Sequence, residues 1–174
     1  MLNLFNSIIA SNELISPGTN ISGRKIFKII REYNDQVLSD FTLSSDFVEL
    51  ILDRGIELKS QKNAFYLISE DLITIYDKTY SEYGDILGHY FRTYYHIIKL
   101  IDRTEKIDKH QYISIARAQL SNSEQILLFF NCLHSNGIEK FKPLVEKYHL
   151  FHNLDTSLLQ SDKFLDFYSA SAYN

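Results

Sequence analysis

Three side chains in one stretch of this sequence have the types and spacing to act on an anion. His89 and Arg92 are three residues apart, and Arg92 and His96 four apart, in GDILGHYFRTYYHIIKLIDR, residues 84–103. On a helix all three project from neighbouring turns of one face. A guanidinium flanked by imidazoles can bind a phosphate and stabilise developing negative charge, and a His near its ordinary pKa can move a proton. His89, Arg92 and His96 are therefore the candidate catalytic groups, and Arg92 is also a candidate binding residue. The competing reading is an ordinary polar helix face.

A second cluster comprises Arg117, Gln119, Glu124 and Asn131. Glu124 and Asn131 are seven apart and share a face two turns from each other. Asn131 sits in the apolar run ILLFFNCL and needs a partner if it is buried. The expected arrangement has Arg92 meeting Glu124 and Asn131 across a helical bundle, forming a polar recess in an apolar frame. The rival is a buried network that only fixes helix register, with Glu124 doing nothing beyond capping. His149 and His152, three apart, could face one way, but no carboxylate at helical spacing completes a metal site. No P-loop, no G-x-S-x-G and no glycine-rich dinucleotide turn is present. The expectation is no metal and no cofactor, and the residues leave open whether the chain is an enzyme.

These groups need helices to position them. Leu87, Phe91, Tyr94, Ile98 and Ile101 step by four, three, four and three, one continuous apolar stripe that must face a core. Asp85, His89, Arg92, His96 and Arg103 fall opposite it. Upstream, the helical spacing of Leu2, Phe5, Ile8, Ile9 and Asn12 predicts a first helix that ends before Ser16, then a short loop TNIS, a helix over 23–34 and a loop or single turn over 35–45. A further helix ends before Gly55, and a long one runs over 62–82. Whether the last continues into the 84–103 helix is open, since one Gly costs only about 1 kcal/mol relative to Ala. Gly84 and Gly88, one turn apart, could admit another helix closely. Downstream, Tyr112–Leu120 marks a short helix. Ser121 and Glu124 have the spacing of a capping box for the next, which Gly137 ends. Pro143 suits the first turn of PLVEKYHLF, and SLLQSDKFLDFY is a last amphipathic piece. The expectation is an all-α, single-domain bundle of seven to nine helices over 1–168, with a loose tail over 169–174.

The chain has 174 residues, six Gly, two Pro and abundant Tyr and Phe, which favours long helices over a turn-rich β design. The single Cys132 excludes an intramolecular disulfide, and its place among apolar residues predicts a buried, inert thiol. No stretch approaches the roughly 18 apolar residues of a membrane helix, and the N-terminus lacks the pattern of a secretory signal, so the cytoplasm is the expected location. The net charge of −4 is uneven: residues 85–150 hold 9 Lys and Arg against 7 Asp and Glu, with five of the six His. An anionic partner would therefore meet that block, although dedicated nucleic-acid domains are far more basic.

Three blocks, LGHYFRTYYHIIKLID (87–102), ARAQLSNSEQILLFFN (116–131) and KFKPLVEKYHLFHNL (140–154), resemble phage abortive infection proteins of the AbiC type. FNSIIASNEL followed by GRKIF looks like the start of the same region. The resemblance implies a role in antiviral defence, in which an infected bacterium is shut down before phage progeny emerge. The family's motif positions land on Gly88, His89, Tyr90, Phe91, Arg92, Arg117, Gln119, Leu120, Glu124 and Asn131. Family members often carry membrane helices ahead of this domain, a location not carried over here. The leading expectation is a sensor or toxic effector acting through a polar site, with a phage or host protein, RNA or a second copy of the chain as partner. One alternative is a metal-independent ribonuclease of the HEPN class, which places His after Arg with four to six residues between; Arg103 and His110 fit, while Arg92 and His96 are too close. The other is a helical protein–protein interaction module.

Overall fold

The structure is a computed structural model that describes residues 13–16, 19–44, 53, 67 and 69–174. A short antiparallel hairpin, β1 (Glu13–Ser16) and β2 (Thr19–Ser22), leads into α1 (Lys25–Thr42). Then come α2 (Ser69–Arg103), α3 (Lys109–Arg117), α4 (Asn122–Leu133) and α5 (Lys142–Lys147), followed by three 3₁₀ turns at Thr156–Leu158, Asp162–Phe167 and Ala170–Ala172. The fold is helical, as expected, but the described residues hold five α-helices rather than seven to nine. The helix expected to end before Ser16 lies outside the described residues except at its end, where Glu13–Ser16 form β1, and the helix expected before Gly55 lies outside them apart from Asp53.

Two of the differences arise near the start. TNIS, expected as a loop, is a strand paired with ELIS in the register Glu13 opposite Ser22. β-branched residues in both strands and the Pro-Gly turn signal between them favour this pairing. The second helix does not stop at Asn34 but runs on to Thr42. Val37 and Leu38 are buried and extend the inward stripe of Ile26, Phe27 and Ile30, so packing overrides the weak helix propensity of Asn34, Asp35 and Asp40. Asn34 is fully buried and accepts a 3.0 Å hydrogen bond from Thr79 of α2, which fixes the two helices in register.

At Gly84 two helical segments meet without an intervening loop: Ser69–Arg103 is helical on both sides of a kink at Tyr83, whose φ of −121° and ψ of 15° are not helical. All five residues of the predicted stripe, Leu87, Phe91, Tyr94, Ile98 and Ile101, are buried. Gly84 and Gly88 do not receive another helix. The ring of Tyr80, from the preceding turns of α2 itself, lies along them, and a Cβ on Gly88 would fall 2.7 Å from the Tyr80 hydroxyl. The ring also stacks on His134, with centroids 5.4 Å apart.

Helix α4 is central, with every residue from Glu124 to Leu133 buried. Both halves of the Ser121–Glu124 capping box are formed. Cys132 is fully buried, and burial holds its thiol well above the ordinary range. The helix ends at Leu133, four residues before Gly137, whose missing Cβ lets the returning chain press against the last turn: a Cβ there would lie 2.5 Å from the Asn131 carbonyl oxygen. Pro143 does occupy the first turn of α5, which stops at Lys147 rather than running to Phe151, because His149 turns the chain with a positive φ of 53°.

The last amphipathic piece forms 3₁₀ turns, not an α-helix. Of residues 169–174, expected to trail loosely, Ala172 and Tyr173 are packed against the rest of the fold and the other four are exposed. Phe151 N–H donates to the Ala172 carbonyl at 3.0 Å, Ala172 is fully buried, and Tyr173 rests on the core.

Candidate functional site

The outward face of α2 is as the spacing predicts, with Asp85, His89, Arg92, His96 and Arg103 all exposed. Two recesses meet at Arg92. The first is a cleft of about 350 Å³ between α2, the face of α4 that carries Asn131, and the turn after α4. The nearly buried rings of Phe91 and Phe141 back it, and Arg92, Lys99 and Lys140 bring three permanent positive charges to its lining without a single carboxylate. Lys99 lies over the Tyr95 ring at 5.1 Å, a cation–π contact that holds the ammonium on the wall. His96, Asn136 and Tyr80 complete the polar lining.

The second recess, about 410 Å³, opens on the other side of Arg92 and differs in charge. His89 shares it with Glu82 and Asp85. Arg92 is thus a boundary, with a cationic cleft on one side and a mixed depression on the other.

Asn131 belongs to the first cleft. It is 4% exposed, lines the opening, and its side-chain amide makes no hydrogen bond to the described residues. Its amide atoms keep contact with solvent through the recess, where a ligand can reach them.

The expected meeting of Arg92 with Glu124 does not occur. The guanidinium on Glu124 is that of Arg24, at the start of α1, whose Nη1 donates to Oε2 at 2.8 Å. Tyr90 of α2 donates to Oε1 at 2.9 Å and the Ser121 backbone N–H to Oε2 at 2.6 Å. The carboxylate is fully buried and accepts from these three donors, so it ties α1, α2 and α4 together. Burial, reinforced by the Glu124 charge, keeps the Tyr90 hydroxyl protonated well above its usual range.

Two other named candidates also serve the fold. Arg117 Nη1 donates to the His149 carbonyl at 3.0 Å, which braces the left-handed turn after α5. Gln119 contributes its backbone carbonyl, an acceptor for Arg24. The pair His149 and His152 is likewise occupied, each Nδ1 facing a carbonyl of the C-terminal turn, Ser171 and Tyr173. Among the described residues no group of three or more metal-ligating side chains comes together. Arg103 and His110 are exposed at the two ends of the connection from α2 to α3, away from the cleft.

Of the candidates, Arg92, His96 and Asn131 share the cleft, His89 adjoins it across Arg92, and Arg117, Gln119 and Glu124 do not reach it. Sequence reasoning missed Lys99, Lys140, Tyr95 and Asn136. Lys99 was available to it, since it lies seven residues after Arg92 and three after His96 on the same helical face. Lys140 enters from an irregular turn whose direction no periodicity records.

A helical protein with a cationic, aromatic-backed recess is the class that fold and site define. The family model described as "Putative phage abortive infection protein" matches residues 82–159, a span that runs from the bend in α2 through α5 to the first 3₁₀ turn. No curated protein and no solved structure matches the chain. Among the described residues no helix is long and apolar enough to cross a membrane.

Proposed function

We propose that this chain acts in phage abortive infection and that its working site is the cationic cleft beside Arg92. The observation that carries this reading is the lining itself: three permanent cations, no carboxylate, and the amide of Asn131, which has no hydrogen-bond partner among the described residues. Apart from Tyr80, every lining residue falls within 82–159, the span that the family model covers. Positive charge collected between low-dielectric walls concentrates an anion there.

The arrangement suits recognition, the role of a sensor or of an effector that acts by binding. Neither His89 nor His96 has a hydrogen bond to the described residues that would fix its ring for proton transfer. The cell in which this happens is a phage-infected bacterium, and the reading places the chain in its cytoplasm.

The test is Arg92→Ala in a host where the wild-type chain reduces phage plating or arrests growth. Arg92 is exposed and makes no hydrogen bond to the described residues, so the melting temperature is expected to stay within about 2 °C of wild type. Protection is expected to fall to the level of a host without the protein. Full protection by the variant would overturn the proposal, as would a large drop in melting temperature accompanying the loss.

A further inference from the structure

We propose that the cleft takes a small phosphate-bearing ligand whose negative charge is confined to one end, of the order of a nucleoside monophosphate, and not a nucleic-acid strand. This deepens the reading of the cleft as the working site and rests on it.

The phosphate end follows from the cations. Arg92 and Lys99 are seven residues apart on α2, roughly 10 Å along the helix axis, and Lys140, from the turn after α4, lines the same cleft. A guanidinium and two ammonium groups lining one recess without a carboxylate favour an oxyanion there. Lys99 is already held over Tyr95. Asn131 adds a donor and an acceptor at the buried end, so the ligand must offer a polar group beside its phosphate.

The limit on size and charge follows from two further observations. At about 350 Å³ the cleft lies near the lower end of ligand pockets, which span roughly 300–1,000 Å³. More telling is the boundary at Arg92. A strand leaving the cleft on that side would carry its next phosphates against Glu82 and Asp85, and like charges brought together in this way cost affinity. A ligand with a single anionic end meets no such penalty, and its neutral or cationic end is welcome in the second recess.

The experiment is calorimetric titration of the full chain with adenosine monophosphate, ribose 5-phosphate, unphosphorylated adenosine and a uridine decanucleotide. The two monophosphates are expected to bind and adenosine to fail. Arg92→Gln and Lys140→Gln are each expected to weaken monophosphate binding roughly tenfold, the loss of one charge-assisted contact. Lys106→Gln, at an exposed position outside the cleft, should leave it unchanged.

Absence of monophosphate binding at millimolar concentration would overturn the inference, and so would binding indifferent to both cleft variants. Binding of the decanucleotide without the monophosphates would replace the small ligand by a strand. Phage plating with Arg92→Gln separates the two levels of the argument. Lost protection without monophosphate binding leaves the site standing and removes this ligand class. Intact protection with lost binding removes the site's role in defence.

Discussion

At Asp35, on the outer half of α1, two forces oppose each other. Its carboxylate pairs with Arg31 one turn earlier, which lowers its pKa, while burial, the larger effect, and the nearby charge of Glu32 raise it. Burial prevails and the group titrates at about 6. Because the unfolded chain holds this proton only below about 4, the native state binds the extra proton between those values. Asp35 alone therefore makes the fold more stable as the pH falls from about 7 to about 4, the reverse of a carboxylate whose pKa is depressed. A carbon-13 NMR titration of the Asp35 carboxyl is expected to show a midpoint near 6, and Asp35→Asn should remove that part of the pH dependence; a midpoint near 4 would contradict it. The two arginines show a different kind of residue-level decision. Arg24, at the cap of α1, and Arg92, on α2, are both exposed cations, yet Arg24 pairs with the buried carboxylate of Glu124 and Arg92 lines a recess. Nothing in the local spacing of either residue encodes which of them Glu124 receives, because the choice depends on how α1 lies across α4.

Among the helices, Glu124 is where three elements are joined, by donors from the start of α1, from α2 and from the cap of α4. Glu124→Ala leaves the Tyr90 hydroxyl buried without this partner and frees Arg24, which is partly solvated already. The expected loss is about 2–4 kcal/mol, measured as a lower urea midpoint with an unchanged slope. A loss below about 0.5 kcal/mol would show that the network does not hold the helices together. Features with a local cause were legible in the sequence. The apolar stripe of α2, the Ser121–Glu124 box, Pro143 in the first turn of α5 and the all-buried circumference of α4 each follow from residues within a few turns of one another. Features settled by distant partners were not. Helix α1 continues past Asn34 because Val37 and Leu38 are buried against other helices and Thr79 of α2 donates to Asn34 Oδ1, and Gly88 is occupied by a ring from two turns earlier, not by a neighbouring helix. The C-terminal turns give up α-helical spacing to place Tyr168 and Ala172 against Phe129 and Phe151.

For the molecule as a whole, the net charge of −4 conceals a recess where positive groups gather, and all of its lining but Tyr80 lies within the segment that the family model matches. The core of α2 and α4 gives it a rigid back, while the three cations project from turns that no packing constraint requires to be basic. Half of the candidate site was therefore visible in advance, as the polar face of one helix. The other half, Asn131 and Lys140, became part of it only when α4 and the turn after it were set beside that face. The most direct measurement is phage plating with Lys140→Glu, compared with Lys106→Glu, at matched expression and with melting temperatures recorded. Lys140 is exposed, comes from a different element than Arg92, and meets it only in the cleft. The account predicts that Lys140→Glu abolishes protection without unfolding the chain, while Lys106→Glu protects like wild type. Equal protection by both variants would contradict it.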